Sequence, residues 1–297
     1  MANFVDIGTE AKEERTFTVA GSKFPISTLF QKDNITTALI FQPQPRDVIV
    51  CSYPKCDSKY VDIIVWKLLY PNCKLPLINN ITNRFVLSME MVDMQELLMR
   101  QKSPRLVKTH LPLQLISFYK RAKYIYIIRS PWELSVSYYK LLWSIGNFNE
   151  SFDQFLTLFL EGNLGFDCYF NHVRSWSRRI EDENVLILCH EHVRNNPRSA
   201  LFCIAAFLGE HYLKQVLQST ELEKEILKSI SAEKTKSQRY FLKSLKQRSF
   251  RKPTCTEKQM SEILMKVSEK FSNTAVEHMW LNLLKKYEQL VSRGQLD

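Results

Sequence analysis

The chain has 297 residues, a net charge of +10, 45% hydrophobic residues and 24% charged residues. Such fractions are those of an ordinary globular protein and exclude collagen-like, low-complexity and intrinsically disordered classes. The positive balance implies anionic partners without saying which, so nucleic acid, a membrane surface and a phosphorylated small molecule all stay open.

The first residues, MANFVDIGTEAKEER, contain neither a basic n-region nor an apolar h-region, so no signal peptide is expected. No run approaches the roughly 20 apolar residues of a membrane span. Seven cysteines, at 51, 56, 73, 168, 189, 203 and 255, form no C-x-x-C pair. That pattern favours reduced thiols and a cytoplasmic protein over disulfides or zinc.

Residues 1–45 read as an irregular lead-in with a short helix near Asn34–Phe41. Strand-like apolar runs follow at Asp47–Tyr53, Arg105–Thr109 and Lys123–Ile128, with a fourth at Asn184–Cys189. Helical patterns occupy Ser58–Tyr70, Ser88–Arg100, Pro112–Tyr119, Pro131–Trp143, Phe152–Leu160 and Asp167–Arg179. Pro112 and Pro131 suit a first helical turn. Beyond Pro197 the pattern is mostly helical, with a basic, poorly periodic break around Ser244–Thr256. Strands alternating with helices predict a single α/β domain, a central parallel β-sheet flanked by helices.

In a parallel sheet, ligands bind beyond the carboxyl ends of the strands. Three predicted strand ends deliver Tyr53-Pro54-Lys55, Lys108-Thr109-His110 and Arg129-Ser130-Pro131, each just ahead of a helix start. Helix N-termini favour anions, so the set reads as an anion site with a base beside it. No glycine falls between Gly21 and Gly146, so the turn after Lys55 lacks the residue that phosphate loops normally use. The stretch Lys224–Lys258 holds eleven Lys/Arg against three acids. It lacks regular aromatic interleaving, and no nucleic-acid partner is expected.

In this order the blocks resemble the cytosolic sulfotransferases, which use 3′-phosphoadenosine 5′-phosphosulfate (PAPS) and release PAP. The family's Y-P-K-[SC]-G-T-T-W is similar to YPKCDSKY at Tyr53–Tyr60, and its K-T-H-L-P stands intact at Lys108–Pro112. YIIRSPWELSVSYY at Tyr126–Tyr139 resembles Y-x-x-R-N-P-x-x-x-x-V-S-Y-Y. DCYFNHVRSW at Asp167–Trp176 resembles G-S-W-F-x-H-V-x-x-W. His190-Glu191-His192 stands for Tyr-Glu-Asp, and Phe250-Arg251-Lys252-Pro253 for F-R-K-G.

The resemblance implies a P-loop-NTPase-like fold over about 23–290 after a lead-in of 1–22, and sulfuryl transfer to a small acceptor such as a phenol, alcohol or steroid. It implies His110 as general base, with Lys55 and Lys108 steadying the charge that develops. It implies cofactor contacts from Lys55, Cys56, Asp57, Ser58, Lys59, Tyr60, Arg129, Ser137, His190, Ser231, Arg251 and Lys252. Arg129, Ser137, Arg251 and Lys252 would hold the 3′-phosphate, and no metal is required. Phe85, Trp143 and Phe148 are candidate acceptor walls, and the oligomer is a monomer or homodimer. Departures gather at the nucleotide: Asp57 stands for glycine, Lys59 for threonine and Tyr60 for the tryptophan that stacks on adenine. They leave as alternatives an impaired homologue that binds ligand without turnover, or a basic nucleic-acid-binding protein.

Overall fold

The computed structural model describes residues 16–25, 31–56, 59–73, 88–91, 103–144, 148–247 and 255–292, with backbone alone for 91, 236–247 and 286–292. Its centre is a four-stranded parallel sheet built from β3 (Val48–Ser52), β4 (Leu106–Thr109), β5 (Lys123–Ile128) and β6 (Val185–Cys189). The strand order is β4-β3-β5-β6. Every residue of β3, VIVCS, is buried, as expected of a central parallel strand covered on both faces. Val50 pairs with Lys108 on one side and Ile125 on the other, which sets the register of all three strand ends.

The flanking helices are α2 (Lys59–Leu69), α3 (Pro131–Ser144), α4 (Phe152–Glu161), α5 (Tyr169–Ser177), α6 (His190–Asn195), α7 (Pro197–Leu208), α8 (Glu210–Gln218), α9 (Thr220–Gln247), α10 (Glu257–Phe271) and α11 (Ala275–Ser292), with α1 (Lys32–Leu39) ahead of the sheet. Helix α2 buries eight of its eleven residues, Lys67 among them. It packs against α7 and α9 and Ile64 is fully buried, so truncating Ile64 to alanine would cost about 2–5 kcal/mol. Capping boxes at Ser151/Gln154 and Thr256/Gln259 start α4 and α10, each contributing about 1 kcal/mol. At the opposite end of the sheet, the fully buried Asp47 takes two hydrogen bonds from Arg105, at 2.9 and 2.5 Å.

The predicted strands match to within two residues, but the lead-in is not irregular. Thr16–Val19 (β1) pairs antiparallel with Ser22–Pro25 (β2) across Ala20-Gly21, where both φ are positive (50° and 81°). That is a two-residue hairpin turn, specified here by Ala-Gly rather than the commoner Asn-Gly. The helix expected over Pro112–Tyr119 is only a 3-10 turn, Leu113–Leu115. Ile116 returns to extended backbone (ψ 130°), and the Tyr119 N–H takes the Tyr124 hydroxyl instead of a helical carbonyl. Helix α5 starts at Tyr169 rather than Asp167, because Phe166 and Asp167 carry left-handed φ of 58° and 59°. Most of the Ser88–Arg100 helix and part of the 244–256 break lie outside the described residues. No helix among the described residues is long and apolar enough to cross a membrane.

Candidate active site

Strands β3, β4 and β5 end at one rim. The chain leaves β3 toward β4 on one side and leaves β5 toward β6 on the other. The rim between β3 and β5 is therefore a topological switch point, where a crevice opens. Lys55 follows β3, and Arg129 follows β5.

Tyr53 roots the first turn. Its hydroxyl donates to the carbonyls of Gly165 (3.0 Å) and Asp167 (3.2 Å). Its ring meets Tyr138, Tyr169 and His172 edge-on at 5.7, 5.3 and 5.7 Å. The Cys56 N–H closes the turn on the Tyr53 carbonyl. With glycine absent, the left-handed position falls on Lys55, at φ 69°, at a cost of about 1 kcal/mol for an L-residue. That twist turns the Lys55 carbonyl across the crevice, where Arg129 Nη1 donates to it at 2.9 Å. The Lys55 side chain is exposed. Asp57 and Ser58 lie outside the described residues.

Arg129 also pairs through Nη2 with Glu133 at 3.2 Å, one turn into α3. Ser137, half-buried, stands one turn further along that face. Arg129 Nε is buried and finds no acceptor among the described residues. The following residue is fixed by Glu191 of α6, whose Oε1 accepts from the Ser130 N–H (2.8 Å) and Oγ (2.7 Å). Burial alone would raise the Glu191 pKa, but hydrogen bonds from Cys189 and Ser130 hold it below the ordinary value. Cys189 is pushed up to about 12, by burial and then by Glu191. It stays a thiol and donates to Glu191. Burial raises Cys51 as well, which removes the thiolate a redox role would need.

His110 stands one residue beyond β4. Its Nδ1 lies 2.8 Å from the Ser52 carbonyl. A carbonyl only accepts, so Nδ1 carries the hydrogen and Nε2 keeps the lone pair. Burial lowers the His110 pKa, Glu90 opposes that, and Lys108 reinforces it. The imidazole is thus neutral near pH 7, with its basic nitrogen fixed. Behind it, Tyr126 donates to His172 Nδ1 (2.8 Å) and His172 Nε2 donates to the His110 carbonyl (3.3 Å). The Phe166 ring stands edge-on to His110 at 6.0 Å, and Phe24 stands edge-on to Phe166 at 5.4 Å. Gly165 makes this apolar wall feasible: at φ 101°, a Cβ there would meet Pro25 Cδ at 2.6 Å.

Lys108 lies within β4 and His110 just past its end, so both stand at the same strand's carboxyl edge. The Lys108 ammonium lies 3.4 Å from Asp62 of α2, with side-chain exposures of 18% and 10%. Lys59 pairs with the buried Glu233 of α9 at 3.1 Å, so its charge is engaged by α9. Tyr60 and His190 are buried, Ser231 is exposed on α9 and Trp143 is half-buried. Phe148 is buried against Tyr139 and Phe155. Phe85, Arg251 and Lys252 lie outside the described residues.

The structure therefore brings Lys55, Lys108, His110 and Arg129 to one rim. It adds carboxylates that the sequence reading did not single out for the site: Asp62, Glu90 and Glu191. Glu191 had a signal, since it sits in the block resembling Tyr-Glu-Asp. Asp62 and Glu90 had none, because nothing in sequence links them to β4. Phe166, just ahead of the block at 167–176, was not singled out either.

The Sulfotransferase domain profile matches residues 45–282. The chain belongs to the sulfotransferase family. The chain is 32% identical over 198 residues to mouse Sulfotransferase 1B1, covering 62% of this chain and 66% of that relative. It is 33% identical over 190 residues to dog Sulfotransferase 1B1, covering 60% and 64%. The match thus spans just under two thirds of either relative's length. Among solved structures, a mouse sulfotransferase, SULT7A1, complexed with PAP superposes with a TM-score of 0.66 at 20% identity, over 90% of this chain and 99% of that one. Retinol dehydratase in a complex with retinol and PAP gives 0.60 at 18% identity, over 86% and 89%. At these identities the likeness is one of fold.

Proposed function

We propose that this chain transfers a sulfuryl group from PAPS to a hydroxyl or amine of a small acceptor such as a phenol, alcohol or steroid. The observation that carries the reading is the His110–Ser52 hydrogen bond of 2.8 Å, which leaves Nε2 as a neutral base beside Lys55, Lys108 and Arg129. PAP in the structural neighbours supports the nucleotide, and mouse and dog Sulfotransferase 1B1 support the reaction class.

The donor set fits a polyanion. Arg129 has a buried Nε without an acceptor among the described residues, and its planar fork suits a phosphate. Lys55 and the start of α2 add positive potential on the β3 side. Bound there, PAPS supplies the sulfuryl group and a phosphate leaving group. His110 Nε2 takes the acceptor's proton while Nδ1–H stays on the Ser52 carbonyl. Lys108 and Lys55 offset the negative charge on the transferring and leaving oxygens. Phe166 and Phe24 keep an apolar acceptor against the imidazole and exclude water. Ser137, Arg251 and Lys252 complete the phosphate contacts in this reading, and the domain runs to about residue 290.

Calorimetric titration with PAP, together with radiolabelled sulfate transfer from PAPS to a phenol and steroid panel, tests the proposal. PAP binding and transfer are expected, with transfer abolished and PAP binding retained in His110→Ala. No PAP binding at millimolar concentration overturns the reading. PAP binding without transfer to any acceptor favours a ligand-binding homologue, which the carboxylates on Lys108 and Lys59 would suit.

A further inference from the structure

Glu90 lies on the 3-10 turn Met89–Met91 beside the end of β4 and is fully buried. Four donors meet its carboxylate. Ser88 Oγ bonds to one oxygen, and Thr109 Oγ1 and the backbone N–H groups of His110 (2.6 Å) and Leu111 (3.0 Å) bond to the other. Among the described residues no lysine or arginine lies within ion-pair distance of it. A carboxylate kept out of water without a cation costs several kcal/mol unless hydrogen bonds replace its hydration, and here they do. Two backbone N–H groups could equally be satisfied by a carbonyl or a water. A charged group at this position therefore needs a reason beyond satisfying the turn.

The imidazole supplies that reason. The three residues gripped by Glu90 are Thr109, His110 and Leu111, the backbone that aims the ring. When Nε2 takes a proton from the acceptor, the ring goes from neutral to +1 while Nδ1–H remains on Ser52. The other groups facing the ring do not stabilise that charge. Lys108 is a cation partly offset by Asp62, and His172 is neutral and donates to the His110 carbonyl. We infer that Glu90 is the positioning residue of the general base: it fixes the backbone that orients His110, and its charge stabilises the imidazolium formed during transfer. This rests on the sulfuryl-transfer reading for its catalytic consequence, though the action of Glu90 on His110 can be measured without turnover.

The test uses the full chain and three readouts: thermal unfolding, the plateau rate of sulfate transfer, and the pH dependence of His110 modification by diethylpyrocarbonate, resolved by mass spectrometry. That reagent attacks only unprotonated imidazole. Glu90→Gln keeps an oxygen for the N–H donors and removes the charge. It should move the His110 midpoint to lower pH and cut the plateau rate about tenfold or more, a part of what general-base catalysis contributes. Glu90→Asp keeps the charge on a shorter arm and should hold the wild-type midpoint while the plateau rate falls. A folded Glu90→Gln variant with an unmoved midpoint, or with wild-type turnover, overturns the proposal. If Glu90→Gln does not fold, Glu90→Asp decides, and a wild-type rate in that variant overturns it. Should the wild-type chain neither bind PAP nor transfer sulfate, the sulfuryl-transfer reading fails by itself, and the midpoint comparison still decides whether Glu90 governs the base.

Discussion

Asp62 Oδ2 stands 3.4 Å from Lys108 Nζ, so the lysine two residues before His110 reaches the crevice with a carboxylate already attached. The pair joins α2 to β4 and is mostly shielded from water. Asp62 orients the ammonium, and the same contact subtracts from its attraction for an anion.

Asp62→Asn should therefore tighten PAP binding while slowing transfer. Charge pairs near 4 Å are worth about 1 kcal/mol in water and several at an effective dielectric near 20. The change expected across the wider gap to a bound anion is about 1 kcal/mol, roughly threefold to tenfold in Kd. Calorimetry with PAP reads this directly. Weaker or unchanged binding would show that the Lys108 charge does not limit affinity.

Acid should destabilise the fold through His172. Burial holds its pKa at about 4, against an ordinary value of 6.5. Above 6.5 the ring is neutral in both folded and unfolded states and costs nothing. As pH falls from about 6.5 toward 4, the unfolded chain binds a proton that the folded chain refuses, so stability is lost over that window. At 1.36 kcal/mol per unit the loss approaches about 3 kcal/mol. Burial depresses His110 as well, and adds in the same direction. Urea midpoints at pH 7 and pH 4.5 measure the slope, which should flatten in His172→Gln. An unchanged slope in that variant would assign the acid sensitivity elsewhere.

The sheet and the rim were legible because they are written in local pattern. VIVC and KYIYII are apolar runs too short for helices, and a parallel sheet places whatever follows its strands at one edge. Lys55, His110 and Arg129 could be grouped on that rule alone. The β1–β2 hairpin was missed because Ala-Gly is a weak turn signal and its partner contacts are distant. Ser22 Oγ reaches Asp167 at 2.6 Å, and the Phe166 N–H reaches the Lys23 carbonyl at 2.6 Å. The carboxylates were missed for the same reason. Asp62 sits on a helix whose pattern reads as core, and Glu90 serves a strand some twenty residues away. Lys59 was expected to contact the cofactor, whereas its ammonium pairs with Glu233 on α9.

Helices α2 and α9 meet antiparallel through two rungs of matched spacing: Lys59 with Glu233 at 3.1 Å, and Lys67 with Glu225 at 2.5 Å. In the second rung the exposures are lopsided, with the Lys67 side chain at 2% and Glu225 at 52%. Lys67 also donates to the Cys73 carbonyl at 2.9 Å. Removing the half-exposed partner should therefore do more harm than replacing the buried one. Glu225→Ala strands an ammonium out of water with one carbonyl for company, and should cost about 1–3 kcal/mol. Lys67→Met fills the same slot with apolar volume and leaves a carboxylate that water can solvate. It should cost under about 1 kcal/mol. Urea denaturation of the two variants and the double mutant measures both costs and their coupling. The reverse order, with Lys67→Met the more damaging, would mean that the lysine's packing outweighs its charge in this rung.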